Sequence, residues 1–274
     1  PWDIRNSAAS APQATTKAAA IIAGNVHRPE AAEPLAACSM TPMRVPLSRS
    51  DFIARGYSME AVPAIESPAN PLIREIGRSL EQRTHLLLEG EKSILEAVAA
   101  GIHLEHVLHD ASIKPGRLAA LTAAHPRLVS RAVLERLADA RTPQHVLAIA
   151  RRRDVPVAEI LGRPGVVVFL FGIQDPGNLG AIVRVAEAAG CAGVLGAPGT
   201  ADFFHPRAVR ASAGSVLRMP VSGPVSFEPF AGDAKAAGRP ICGAVSAGGE
   251  NVFAAPLDPR SVLAIGGEGS GLPA

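Results

Sequence analysis

Asn178 and Arg184 stand in Asp175-Pro176-Gly177-Asn178-Leu179-Gly180-Ala181-Ile182-Val183-Arg184, close behind the apolar run Val166–Phe171, where a strand would deliver them to its loop end. A guanidinium binds anions and steadies developing negative charge, and a carboxamide orients a polar ligand. A second stretch, Gly266-Gly267-Glu268-Gly269-Ser270-Gly271, follows the apolar run Ser261–Ile265 and pairs a carboxylate with glycines that let backbone approach a ligand without Cβ interference. Taken alone, that stretch fits a flexible loop or a Rossmann-like turn equally well. The Walker form is excluded, because no Gly-Lys-Ser/Thr follows. A third polar group, His205, Arg207, Arg210 and Ser212 within residues 199–214, can donate several hydrogen bonds to an anion, or can simply be a capped helix with surface arginines. Phe203 and Phe204 beside it suit base stacking or, more commonly, core packing. Arg151-Arg152-Arg153 reads either as a solvated linker or as a phosphate contact at a domain junction.

The elements that must position these groups are readable from periodicity. Val166–Phe171 is an unbroken β-branched and aromatic run, the pattern of a strand buried on both faces in a parallel sheet. Asp175-Pro176-Gly177 is turn chemistry, and from Asn178 the period becomes helical, with Leu179, Ile182, Val183 and Ala186 on one face. Asn178 is expected as the N-cap. Further strands are expected at 192–195, 216–221, 241–245 and 261–265, with a helix at 228–237. In open α/β sheets ligands bind at the carboxyl ends of the strands.

Upstream, residues 67–153 alternate helix and strand: helices near 72–80, 93–100, 116–124 and 132–138, strands near 84–89, 103–109 and 145–150, a small α/β domain of its own. His103, His106 and His109 are spaced like metal ligands, but on a strand a spacing of three alternates faces and does not close on one ion. They are expected as edge or surface histidines, with no metal. Residues 1–66, rich in Ala, Pro and Ser, show no sustained period. They are expected to be a disordered tail or a mis-assigned extension, with translation beginning at Met40, Met43 or Met59.

Composition bounds the remaining choices. A chain of 274 residues has room for one large or two ordinary domains, and at 4% aromatics its core is mostly aliphatic. A net charge of +2 argues for nucleic acid only through local clustering. Cys38, Cys191 and Cys242 are far apart with no CxxC spacing, which suggests a reducing cytoplasm and neither disulfides nor zinc. No apolar run approaches the ~18 residues that cross a membrane. The chain opens on Pro1 and closes on Ala274 inside the glycine stretch, so it is expected to be a fragment.

Three blocks in fixed order, Asp175–Arg184, Gly199–Gly214 with its Arg210-Ala211-Ser212-Ala213-Gly214, and Gly266–Pro273, resemble the motifs of the SpoU (TrmH-type) ribose 2′-O-methyltransferases of the SPOUT class. The stretch from Ile65 through Leu88-Glu89-Gly90-Glu91 is similar, more loosely, to the RNA-binding domain that precedes the methyltransferase domain in many of them. One departure is Gly267, where a common form has Asn.

The resemblance implies an α/β fold: a SPOUT-type parallel-sheet domain over 154–274 preceded by an RNA-binding α/β domain over 67–153. The family continues beyond the glycine stretch into a segment that closes a trefoil knot, so the knot is expected to be incomplete here. The resemblance further implies S-adenosyl-L-methionine as cofactor, held by Gly266, Gly267, Gly269 and Val245. Asn178, Arg184 and Glu268 are then the catalytic set, and Arg207, Arg210, Ser212 with Arg151, Arg152 and Arg153 the RNA contacts. The substrate is expected to be structured RNA, ribosomal rather than transfer RNA, and the assembly a homodimer. Two other readings stay open at this point: a non-catalytic RNA-binding protein or inactive fragment, and a Rossmann-like nucleotide enzyme. The last lacks the acidic residue expected at the end of a second strand.

Overall fold

The structure is a computed structural model that describes residues 64–114, 117, 126–140, 144–251, 254–255, 257–269 and 271–273. The chain divides into two compact units between Arg151 and Arg152.

In the N-terminal unit, α1 (Pro71–Glu81) starts where Asn70 caps it, the Asn70 side chain accepting from the Leu72 amide at 3.0 Å with Pro71 at the first position. There follow β1 (His85–Glu89), α2 (Gly90–Ala99), β2 (Leu104–His109), β3 (Pro126–Leu128), α3 (Arg131–Leu137) and β4 (Val146–Arg151). The sheet runs β1-β4-β2-β3. β4 pairs antiparallel with both β1 and β2, which explains its run of five buried residues. Ile73 and Ile76 of α1 and Val133 and Leu134 of α3 pack with Leu87, Leu108, Leu147 and Ile149 of the sheet in one core.

The expected elements of this unit lie within a few residues of these bounds. The helix expected at 116–124 lies outside the described residues except for Arg117, and so do residues 1–63 of the expected extension. β3 has no counterpart among the expected strands, because three residues carry no period. The pairing of β2 with β4 shifts register between Leu104 and His106, and His103 precedes the strand. Among the described residues no group of three or more His, Cys, Asp or Glu could hold a metal ion.

The C-terminal unit comprises α4 (Val157–Gly162), β5 (Val167–Phe171), α5 (Pro176–Ala188), β6 (Gly193–Gly196), α6 (Pro206–Ala211), α7 (Ser215–Arg218), β7 (Val221–Ser222), α8 (Phe227–Ala236), β8 (Ile241–Ala244) and β9 (Val262–Gly266). Its sheet runs β7-β6-β5-β9-β8 with every neighbouring pair parallel. β5 is central, which is why Val167 to Leu170 are fully buried. Phe169 stacks on Phe230 of α8 with ring centroids 4.6 Å apart. Burying such a ring stabilises the fold by about 2–3 kcal/mol.

The strand expected over 216–221 is corrected: Gly214 takes the left-handed conformation (φ 76°), a helical turn follows, and only Val221 and Ser222 remain extended. A short apolar run does not distinguish a buried turn of helix from a strand. At the amino-terminal end of the sheet the buried Arg239 guanidinium donates to the carbonyls of Leu161 (2.9 Å), Gly165 (2.8 Å), Arg260 (2.7 Å) and Arg163, tying the segments that enter β5, β8 and β9.

Candidate active site

β5 and β9 are neighbours, with Phe171 level with Gly266. The chain leaves β5 to build one side of the sheet through β6 and β7, then returns to build β8 and β9 on the other side. The loops after β5 and β9 therefore open side by side where the strand order reverses, the place where such sheets hold ligands.

Asp175, and not Asn178, is the N-cap of α5: its Oδ1 accepts the Asn178 amide at 2.9 Å, with Pro176 at the first helical position. The expectation of Asn178 as cap is thereby corrected, and the correction has a chemical consequence. Asn178 lies in the first turn with its carboxamide released from capping, and its Nδ2 donates to Glu268 Oε1 at 3.0 Å. Both residues are exposed, so the pair faces solvent at the mouth of the two loops.

The loop carrying Glu268 is a tight glycine turn. A Cβ at Gly266 would stand 2.0 Å from the Gly271 backbone, so no larger residue fits without opening the turn. Gly267 bridges to Gly271, whose amide donates to the Gly267 carbonyl at 3.0 Å, and Gly271 is left-handed (φ 63°). A Cβ at Gly269 would meet nothing within 4 Å, which leaves open space beside the turn. Val245, just past β8, is 59% exposed.

Arg184 projects from α5 six residues beyond Asn178, about 9 Å along the axis. It is exposed and makes no hydrogen bond or ion pair among the described residues. The structure thus joins Asn178 to Glu268 and leaves Arg184 available on the same helix. α5 lies unusually close to α6, since a Cβ at Gly180 would stand 2.4 Å from the Ala208 carbonyl oxygen. That approach lets Arg207 Nη1 reach Asp175 Oδ2 at 2.9 Å, so one carboxylate caps α5 and anchors α6. Glu187 and Arg218 tie α5 to α7 through two bonds of 2.7 and 2.8 Å, and this hydrogen bonding holds the Glu187 carboxyl below its ordinary range.

Two expected RNA contacts point inward. Ser212 is fully buried; its Oγ donates to the Val209 carbonyl and accepts from the Val216 amide, linking α6 to α7. The Arg152 side chain is 9% exposed, donates to Asp202 Oδ2 at 2.7 Å and lies over the Phe204 ring at 4.7 Å. Burial raises the Asp154 carboxyl above its usual range beside this cluster, against the pull of Arg152. Phe203 and Phe204 are both core residues. Arg153, Arg207 and Arg210 are exposed, and Arg151 is exposed with an ion pair to Glu105 at 2.9 Å.

Asp175 and Asp202 were not among the residues singled out from sequence. For Asp175 the signal was present, since Asp followed by Pro marks a cap and first turn. For Asp202 none was, because its partner is fifty residues away.

The model of the SpoU rRNA Methylase family matches residues 165–274, and that of the MRM3-like substrate binding domain matches residues 73–148. A solved RNA 2′-O ribose methyltransferase is 30% identical at a TM-score of 0.60, over 77% of this chain and 84% of that one. An rRNA methyltransferase from Sinorhizobium meliloti, solved with AdoMet bound, is 26% identical at a TM-score of 0.65, over 77% and 83%. A 23S rRNA guanosine 2′-O-methyltransferase of Bacillus subtilis is 29% identical over 216 residues, 77% of this chain and 84% of the relative.

Proposed function

This chain belongs to the SpoU rRNA methylase family, and we propose that it transfers a methyl group from S-adenosylmethionine to a ribose 2′-hydroxyl of ribosomal RNA. The observation that carries the reading is the bond from Asn178 to Glu268, which couples the loops after two adjacent parallel strands into one polar site.

The glycine turn fits S-adenosylmethionine: Gly266 admits no side chain, and the space beside Gly269 is open. Gly266, Gly267 and Gly269, with Val245 beside them, would hold the cofactor through backbone. Bound there, it would supply an electrophilic sulfonium methyl for the hydroxyl oxygen, with the thioether as leaving group. A sugar hydroxyl attacks poorly until its proton is drawn off or its developing charge is stabilised. Arg184 serves the second purpose, because a guanidinium is a standing cation with five N–H donors and no acceptor, suited to hold negative charge and not to take up a proton. Its cation holds the neighbouring phosphate or the forming alkoxide, and the hydroxyl proton leaves to solvent. Asn178, oriented by Glu268, positions the ribose.

In the N-terminal unit we assign RNA binding to the MRM3-like region. Arg151 is a proposed phosphate contact of that unit; in the C-terminal unit Arg153, Arg207 and Arg210 are the proposed phosphate contacts, and Arg152 and Ser212 are buried anchors. A cytoplasmic homodimer completes the proposal; scattered cysteines without CxxC spacing support the compartment. Mapping ribose methylation in cellular RNA with and without the gene tests the function. One ribosomal position is expected to lose its methyl group, and an unchanged map would refute the reading.

A further inference from the structure

Away from the methyltransferase loops, α1 and α3 of the N-terminal unit flank a groove of about 620 Å³. Arg74, Gly77 and Arg78 stand at i, i+3 and i+4 on one face of α1, and Arg136 comes from the last turn of α3. Three guanidiniums line this groove against one carboxylate, Glu81. None of the three arginines makes an ion pair or side-chain hydrogen bond among the described residues. On the same α3, Arg131 by contrast pairs with Glu135 at 3.1 Å.

Between the arginines the wall is apolar, from Leu80 and Leu137, and Gly77 leaves it recessed: a Cβ there would meet nothing within 4 Å. A glycine inside a helix costs roughly 1 kcal/mol relative to alanine, and here no backbone conformation or close contact requires it. What its absence of side chain provides is depth. A recessed apolar wall rimmed by three guanidiniums that have no ion pair among the described residues matches a nucleotide of RNA, the base against the leucines and the flanking phosphates on the arginines.

We propose that this groove is an RNA-binding subsite of the N-terminal unit, holding a nucleotide and its adjoining phosphates. The proposal rests on the reading of the chain as an RNA methyltransferase and adds the surface through which the RNA is gripped.

The test uses the full chain and unmodified ribosomal RNA transcribed in vitro. Binding is measured as a function of salt for the wild type, for R74Q/R78Q/R136Q, and for Gly77→Met, which fills the recess without changing charge. The triple variant is expected to bind about tenfold more weakly, with a slope of log Kd against log salt lower by about 2. Gly77→Met is expected to weaken binding at an unchanged slope. The triple variant should keep the wild-type melting temperature, Gly77→Met should melt at or above it because the helix loses a glycine, and both should keep the wild-type affinity for S-adenosylmethionine. Unchanged RNA affinity and slope in both variants would overturn the groove while leaving the methyltransferase reading standing, and an acidic protein segment as the true occupant would give that same result. Failure of the wild type to methylate, with the slope change intact, would overturn the enzyme reading and not the groove.

Discussion

Asn178 and Glu268, ninety positions apart, meet through a 3.0 Å hydrogen bond because Asp175 takes over the capping of α5 and releases the Asn178 side chain. One carboxylate thereby frees the carboxamide that a second carboxylate orients. Replacing Asn178 by Asp would set two carboxylates face to face and exchange attraction for repulsion. Asn178→Asp is expected to lower kcat by ten- to a hundredfold at pH 8, on the order of 1–3 kcal/mol. Steady-state rates of the variant beside the wild type check it.

Arg184→Ala is expected to abolish methylation while leaving the affinity for S-adenosylmethionine nearly intact, because Arg184 sits on α5 and not on the glycine turn. Titration calorimetry beside a methylation assay separates the two effects. Near wild-type methylation by the variant would remove Arg184 from the proposed set.

How far the sequence disclosed all this depended on the range of the interactions. β5 was legible because an unbroken run of Val and Phe leaves a central strand few alternatives, whereas the glycine turn was told from a flexible loop or a Rossmann-like turn only by its order with the two earlier blocks. The cap was misassigned by three residues, since Asp and Asn cap equally well and only Pro176 distinguishes the two starts. Arg152 turns inward because Asp202, fifty residues away, lies where only tertiary packing puts it; Ser212 bonds residues three and four positions away, and what the sequence hid was that α7 continues as helix behind it where a strand was expected. No local pattern records that.

Arg239 joins four carbonyls at the end of the sheet opposite the site. Arg239→Met would keep much of the volume and leave those acceptors without a donor. It is expected to destabilise the C-terminal unit by about 3 kcal/mol, read as a lower denaturant midpoint with an unchanged slope.

The pair of Glu187 and Arg218 gives a pH dependence whose sign follows from linkage. Hydrogen bonding to Arg218 depresses the Glu187 carboxyl in the folded state, so its contribution is present above the unfolded value and is lost as pH falls through the folded one. Glu187→Gln should therefore lower the melting temperature at pH 7, and the difference from wild type should fade between about pH 5 and pH 3. Melting curves of both proteins across that interval test it.

The central claim is that the methyl group goes to a ribose oxygen of ribosomal RNA, and methylation there removes the hydroxyl that alkali needs to cleave the adjoining phosphodiester. Ribosomal RNA incubated with the protein and S-adenosylmethionine labelled in the methyl group should, after complete alkaline hydrolysis, carry its label in alkali-resistant dinucleotides. Label recovered in mononucleotides would place the methyl group on a base and contradict the account.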